Sequence, residues 1–301
     1  MAIVVKNLVK TFDGIKALNG VSFRVKRGEI FGFLGPNGAG KTTTIKILTT
    51  LMKPTEGEAY VAGYDVVEDA VEVRKRIGIV FQDCSVDKYL SGWENLYIHG
   101  LIYGLKGDLL RKRIEESLKF IGLIEFKDVE VRKYSGGMMR RLEIARALMH
   151  KPEILFLDEP TLGLDPQTRA KIWEFIESLR GDVTVFLTTH YIDEAENCDR
   201  IAIIDHGEIV AIGKPEDLKR RIGGDLIYVK PNDYRLAKAI NADFKVTRDY
   251  VIINVNDASK ILPEIFEIAN SVGVRIEEIK YTRPTLNDVF LYYTGREIRD
   301  A

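Results

Sequence analysis

The sequence predicts an α/β fold followed by a small α+β C-terminal domain, and three observations predict it. Three short apolar runs rich in β-branched residues, Ile30 to Leu34, Ile154 to Leu157 and Val183 to Thr188, each lead into polar residues and then a helical stretch. Strands buried on both faces of a parallel sheet read this way. Roughly residues 84–150 instead follow a helical period, as in Leu109 to Ile121 and the series Met138, Leu142, Ala145, Met149. After Gly223-Gly224 the pattern restarts as strand, helix, two strands, helix, strand, the order of a split βαβ unit.

Along the chain, residues 3–5 and 21–25 read as strands. Ile30 to Leu34 runs straight into a glycine-rich turn and a helix from Lys41. The 84–150 stretch is the simplest kind of helical insertion within an α/β domain. Ile201 to Ile204 and Ile209 to Ile212 flank His206-Gly207 as a strand pair around a tight turn. A charged helix ends near Arg221, and the boundary that follows divides the chain into domains at 1–222 and 225–301. The second domain reads as strand 226–229, helix 233–240, strands within about 244–255, helix 258–272 and strand 274–281. After Pro284 comes a final helix, Leu286 to Thr294.

Composition narrows the function. Apolar residues make up 46% and charged residues 30% of 301, the balance of a chain with a packed core. Lys plus Arg is 44 and Asp plus Glu is 45, a net charge of −1. That lacks the basic footprint of a nucleic-acid binder. Cys84 and Cys198 are too few for a disulfide framework. Met1 to Lys10 carries no signal-peptide pattern, and no unbroken apolar run is long enough to span a bilayer. Action at a membrane therefore requires a spanning part from another chain.

Gly35-Pro36-Asn37-Gly38-Ala39-Gly40-Lys41-Thr42 matches the P-loop pattern G-x-x-x-x-G-K-[ST] between a strand and a helix. Glycines there let backbone N–H groups wrap an anion, and the helix N-terminus adds its positive end. Lys41 is expected on the β- and γ-phosphates of ATP and the Thr42 hydroxyl on Mg²⁺, with Thr43 completing the nucleotide-binding stretch. The strand Ile154 to Leu157 ends in Asp158-Glu159. Asp158 is placed to hold Mg²⁺ beside Thr42, and Glu159 to act as general base on the attacking water.

Ser135-Gly136-Gly137-Met138, followed by Arg140-Arg141-Leu142 and Ile144-Ala145-Arg146-Ala147-Leu148, resembles the signature motif of the ATP-binding cassette (ABC) ATPases. An ordinary capped helix explains Ser135, but not two glycines in the first turn, each costing about 1 kcal/mol of helix stability. The resemblance spans residues 1 to about 220. It implies a P-loop NTPase cassette: a mixed sheet core with an antiparallel β subdomain and the helical insertion. It places Phe12 against adenine, makes Gln82 the residue that senses Mg²⁺ and the attacking water, and makes His190 the switch contacting the γ-phosphate. Leu164-Asp165 matches the segment that crosses between subunits.

The resemblance further implies two cassettes paired head to tail, so that Ser135, Gly136 and Gly137 of one chain close over ATP held by Lys41 of the other. It implies a second ATP-binding subunit, a homodimer being the expected form, an integral-membrane permease, and a place on the cytoplasmic face of the cell membrane. Tyr134 stands where the family usually has Leu, and Met138 where it has Gln, which removes a hydrogen-bonding side chain. Both features, with the tail Pro284-Thr285-Leu286-Asn287-Asp288-Val289-Phe290, resemble the daunorubicin-type drug-resistance exporter branch. Tyr89, Leu90, Trp93, Leu96 and Tyr97 are candidates for permease docking or, equally, for an internal core, and Lys106 to Arg113 reads as a solvated basic face. The alternative is a cassette ATPase acting on nucleic acid or the ribosome. One cassette, no heptad arm and no basic bias argue against it.

Overall fold

The structure, a computed structural model, describes residues 1–222, 224–231, 233, 235–240, 244–247, 250–255, 257–282 and 284–295. Its elements begin with β1 (Ile3–Phe12), β2 (Ile15–Val25), β3 (Ile30–Leu34), α1 (Lys41–Leu48), β4 (Glu56–Val61), β5 (Tyr64–Asp65), α2 (Ala70–Arg74) and β6 (Ile77–Val80). The insertion supplies α3 (Gly92–Ile102), α4 (Gly107–Phe120), two 3-10 turns and α5 (Gly136–Leu148). Then come β7 (Ile154–Asp158), α6 (Pro166–Ser178), β8 (Thr184–Thr189), α7 (Ile192–Glu196), β9 (Arg200–Asp205), β10 (Glu208–Gly213) and α8 (Pro215–Arg221). The C-terminal part holds β11 (Asp225–Pro231), α9 (Arg235–Ala239), β12 (Phe244–Val246), β13 (Val251–Val255), α10 (Ala258–Ser271), β14 (Ile276–Thr282) and α11 (Leu286–Thr294).

The central sheet has the order β10-β9-β3-β8-β7-β6, parallel except for the β9–β10 hairpin. The middle positions of β3, β7 and β8 are apolar because each face of the sheet supplies a different core. Ile30, Leu34, Leu155, Leu157, Val185 and Leu187 point into the core built with the insertion. Phe31, Phe33, Ile154, Phe156 and Phe186 point the other way, beneath the antiparallel sheet β2-β1-β4-β5. There Phe23 of β2 stacks on Phe31 at 5.7 Å, and Phe31 on Phe186 at 5.8 Å. Such ring pairs add about 0.5–1.5 kcal/mol each beyond burial.

The expected strands at 3–5 and 21–25 are parts of the longer β1 and β2. Residues 56–74, where the sequence pattern marks no element, form β4, β5 and α2. The insertion begins as an irregular segment before Ser91 caps α3: the Ser91 Oγ accepts from Glu94 N at 3.2 Å, and Glu94 Oε2 accepts from Ser91 N at 2.8 Å. This reciprocal box fixes where the helix starts. Of the residues that could serve docking or core, Leu96 is core, fully buried with Leu110, Ile114 and Leu118 of α4. Tyr89 and Tyr97 are exposed, and Arg111 and Lys112 lie on the solvated side of α4.

The third sheet, β12-β13-β11-β14, is antiparallel throughout. One face is covered by α9 and α10 through Leu236, Ile265 and Ala269. On the other, Leu226, Tyr228 and Ile252 join Leu286, Val289 and Phe290 of α11 in the same core as Leu218 of α8. Of the expected Gly223-Gly224 boundary, Gly223 lies outside the described residues, as do residues 296–301.

Candidate functional site

The loop from β3 to α1 folds as a cradle because its backbone demands glycine. Gly40 has φ 105°, and a Cβ there would sit 2.7 Å from the Ala17 carbonyl oxygen. Lys41 is buried, and its ammonium donates to the carbonyls of Gly35 at 2.8 Å and Pro36 at 3.2 Å. The cleft over this loop holds about 600 Å³ and is lined by Pro36, Asn37, Gly38, Gly40, Lys41, Thr42, Thr43, Gln82, Glu159 and His190. Ala17, Leu162 and Tyr191 line it too, none of them flagged in the sequence. Gly35 and Ala39 sit behind this surface, Ala39 buried and Gly35 as the carbonyl acceptor of Lys41.

Strands β7 and β8 deliver the acidic floor. Asp158 ends β7 in register with Thr188, whose hydroxyl donates to Asp158 Oδ1 at 2.6 Å. The Thr42 hydroxyl lies 3.4 Å from the same oxygen. Burial pushes the Asp158 carboxyl above its ordinary range, opposed by the bonds from Thr188 and Thr42. Glu159 is held at φ 47°, with its N–H on the Thr188 hydroxyl at 3.0 Å. That left-handed backbone is costly for a non-glycine residue, and it turns the Glu159 carboxylate into the cleft. One oxygen lies 3.1 Å from Lys41 Nζ and the other 3.3 Å from His190 Nδ1, an approach not aligned as a hydrogen bond. Gln82 is exposed on the loop after β6.

The remaining expected groups stand elsewhere. Phe12, 42% exposed at the β1–β2 turn with Lys10 Nζ 5.1 Å from its ring centroid, is not among the cleft-lining residues. Ser135 caps α5, its hydroxyl accepting from Met138 N at 3.3 Å. Asp165 caps α6 by accepting from Thr168 N at 3.0 Å, and hydrogen bonds from Thr168 hold its carboxyl below the usual range. The two helix starts meet: a Cβ on Gly136 would touch Leu164 at 3.5 Å, and one on Gly137 would collide with the Thr168 methyl at 2.2 Å. Ser135, Gly136, Gly137 and Asp165 thus share one corner, apart from the cleft-lining residues of their own chain. Met138 packs into the insertion core; Tyr134 is buried, and its hydroxyl donates to the Phe126 carbonyl at 2.8 Å.

The residues fit Mg²⁺. Thr42 and Asp158 present hard oxygen donors on one side of the cleft, and burial leaves the Asp158 charge under-compensated, a state a cation relieves. No cluster of three metal-ligating His, Cys, Asp or Glu occurs among the described residues. Mg²⁺ suits such a site because it takes few protein ligands and shares substrate phosphates.

Comparison with known proteins agrees with this geometry. Residues 18–162 match the family model described as ABC transporter, and residues 213–294 match that of the DrrA1-3-like ATP-binding protein C-terminal domain. The chain is 40% identical over 311 residues to the daunorubicin resistance ATP-binding protein DrrA3 of Streptomyces coeruleorubidus, covering 100% of this chain and 98% of that one. It is 38% identical over 307 residues to the linearmycin resistance ATP-binding protein LnrL of Bacillus subtilis, covering 98% and 99%. Among solved structures, a dimeric ATP-binding cassette in a post-hydrolysis state with ADP and Pi superposes at TM-score 0.64 and 34% identity, over 70% of this chain and 98% of that one. Likeness over nearly the whole chain to these two resistance proteins, with the cassette match, makes this chain an ABC ATPase, a member of the drug-resistance branch of ABC transporter ATP-binding subunits.

Proposed function

We propose that the chain hydrolyses Mg-ATP in two composite sites of a head-to-tail dimer and so drives a separate membrane-spanning permease in the export direction. The carrying observation is the split of the ATP-handling groups. Lys41, Thr42, Gln82, Glu159 and His190 gather in one cleft, while Ser135, Gly136, Gly137 and Asp165 share another corner. A single chain offers two half-sites, which a second copy arranged head to tail would complete. Relatives named for daunorubicin and linearmycin resistance support export. No helix among the described residues is long and apolar enough to cross a membrane, so the permease is assigned to another chain. The subunit then sits on the cytoplasmic face of the cell membrane.

Within the site, Phe12 stacks on adenine and the loop 35–43 wraps the phosphates. Lys41 exchanges Glu159 for a phosphate oxygen, which frees the carboxylate. Glu159 then takes the proton of the attacking water, a contribution of about 10²–10⁴-fold, and His190 and Gln82 orient water and γ-phosphate. Thr42, Asp158 and Gln82 would hold Mg²⁺, which would supply charge neutralisation at the phosphates. The test is a pull-down from native membranes with Glu159→Gln in Mg-ATP. Recovery of a multi-span membrane protein supports the reading; recovery of ribosomal or DNA-associated proteins without one overturns it.

A further inference from the structure

The loop that carries Gln82 is gripped by three charged side chains from one stripe of α5, the helix that Ser135 caps. Arg140 Nη1 donates to the Phe81 carbonyl at 2.6 Å, and its Nη2 donates to the Gln82 carbonyl at 3.0 Å. Glu143 Oε1 accepts from the Ser85 N–H at 2.6 Å and from its hydroxyl at 3.0 Å. Arg146 Nη1 donates to the Ser85 carbonyl at 2.7 Å, and its Nη2 to the Ser85 hydroxyl. Arg140 and Glu143 also pair with each other at 3.2 Å, at 7% and 2% exposure. The strand ladder stops at Val80, so these side chains take over where backbone pairing ends.

A buried ion pair is a poor source of stability, because desolvation offsets much of the attraction. A planar guanidinium bonding two successive carbonyls is, however, a rigid fixture for a loop. We propose that Arg140, braced by Glu143, is a positioning residue for hydrolysis: it fixes the backbone of Gln82 at the cleft and ties it to the start of α5. The Gln82 side chain itself is exposed and carries no hydrogen bond of its own among those described, so its aim depends on that backbone. Because α5 begins at Ser135, the helix that holds the Gln82 loop also starts the corner formed by Ser135, Gly136 and Gly137.

This inference rests on the role given to Gln82 above, and the experiment separates the two. Steady-state ATPase rates and ATP affinities would be compared for Gln82→Ala, Arg140→Ala, Arg140→Lys and the double variant Gln82→Ala/Arg140→Ala, with thermal unfolding of each. The expected result is a fall in kcat of about 10–100-fold for Arg140→Ala, the scale of a misplaced catalytic group, with ATP affinity changed by less than about 3-fold. Arg140→Lys, able to reach one carbonyl, recovers part of the rate. The double variant is no slower than Gln82→Ala alone, since both changes disable one device. A purely structural Arg140 would give additive losses, or a loss of ATP binding that tracks the fall in Tm, and would overturn the proposal. If Arg140→Ala does not fold, Arg140→Lys carries the same comparison. Full kcat in Gln82→Ala would overturn the role of Gln82 itself; full kcat in the Arg140 variants beside a slow Gln82→Ala would overturn only the positioning role.

Discussion

Lys41 and Glu159 meet at 3.1 Å in the floor of the cleft, both buried, and each is the other's nearest counter-charge. An incoming phosphate must compete with that carboxylate for the ammonium. Neutralising Glu159 therefore removes a competitor as well as the proposed base. Glu159→Gln is expected to bind ATP as tightly as the parent or more so, while its turnover drops by about 10²–10⁴-fold. Lys41→Ala is expected to lose ATP affinity outright. Equilibrium binding and single-turnover hydrolysis check both, and undiminished ATP affinity in Lys41→Ala would sink the P-loop assignment.

The start of α5 contains two glycines with different reasons to be glycine. A methyl on Gly137 meets the Thr168 methyl at 2.2 Å, whereas one on Gly136 makes ordinary contact with Leu164 at 3.5 Å. Gly137→Ala should destabilise the fold by about 1–3 kcal/mol through overpacking. Gly136→Ala should not destabilise it, and its gain in helix propensity is worth up to about 1 kcal/mol. Thr168→Ser, which deletes the opposing methyl, should restore most of the loss in Gly137→Ala. Denaturant unfolding of the four proteins decides this; equal losses in the two alanine variants would refute the packing argument.

Phe12 stands exposed at the tip of the β1–β2 turn, which suits a platform better than a core residue. Phe12→Ala should weaken ATP binding by the worth of one aromatic–base stack, about 1–3 kcal/mol. Phe12→Tyr should bind nearly as the parent does. Calorimetric titration with ATP would show it, and an unaffected Phe12→Ala would remove this residue from the site.

His99 lies against Tyr103, with ring centroids 4.9 Å apart, and burial, Arg146 and His150 push its pKa down to about 4. Between pH 6.5 and about 4 the unfolded chain holds a proton there that the folded chain rejects. Folding stability therefore falls as pH falls through that window and is fully present above it. His99→Phe keeps a ring against Tyr103 and removes the titration. Its stability should fall less steeply with acid than the parent's; identical slopes would show that His99 titrates normally.

Much of the candidate site was legible in the sequence because its demands fall on consecutive residues. Gly35 to Thr42 make a glycine-built bend between strand and helix, and Asp158-Glu159 end a buried strand in charge; both leave local signatures. Thr188 left none: its hydroxyl matters only because β8 pairs with β7 in the register that sets it beside Asp158. Arg140 reads as one more charge on a helix until the fold lays α5 along the loop after β6.

The fold was legible on the same terms. Strands buried on both faces announced themselves, as Ile30 to Leu34 did. By contrast β4 begins Glu56-Gly57-Glu58 and buries only Ala59 and Val61, too few apolar positions to mark a strand. Leu96 could not be told from its exposed neighbour Tyr97 because α3 is apolar on several sides, and only packing against α4 separates core from surface.

Two chains that share their ATP associate only around nucleotide, and light scattering of Glu159→Gln, with and without saturating Mg-ATP, detects that association. The expected species is a particle of twice the 34.2 kDa chain mass that forms only with nucleotide and is lost in Ser135→Arg. A species that stays at one chain mass while fully loaded with ATP would contradict that sharing.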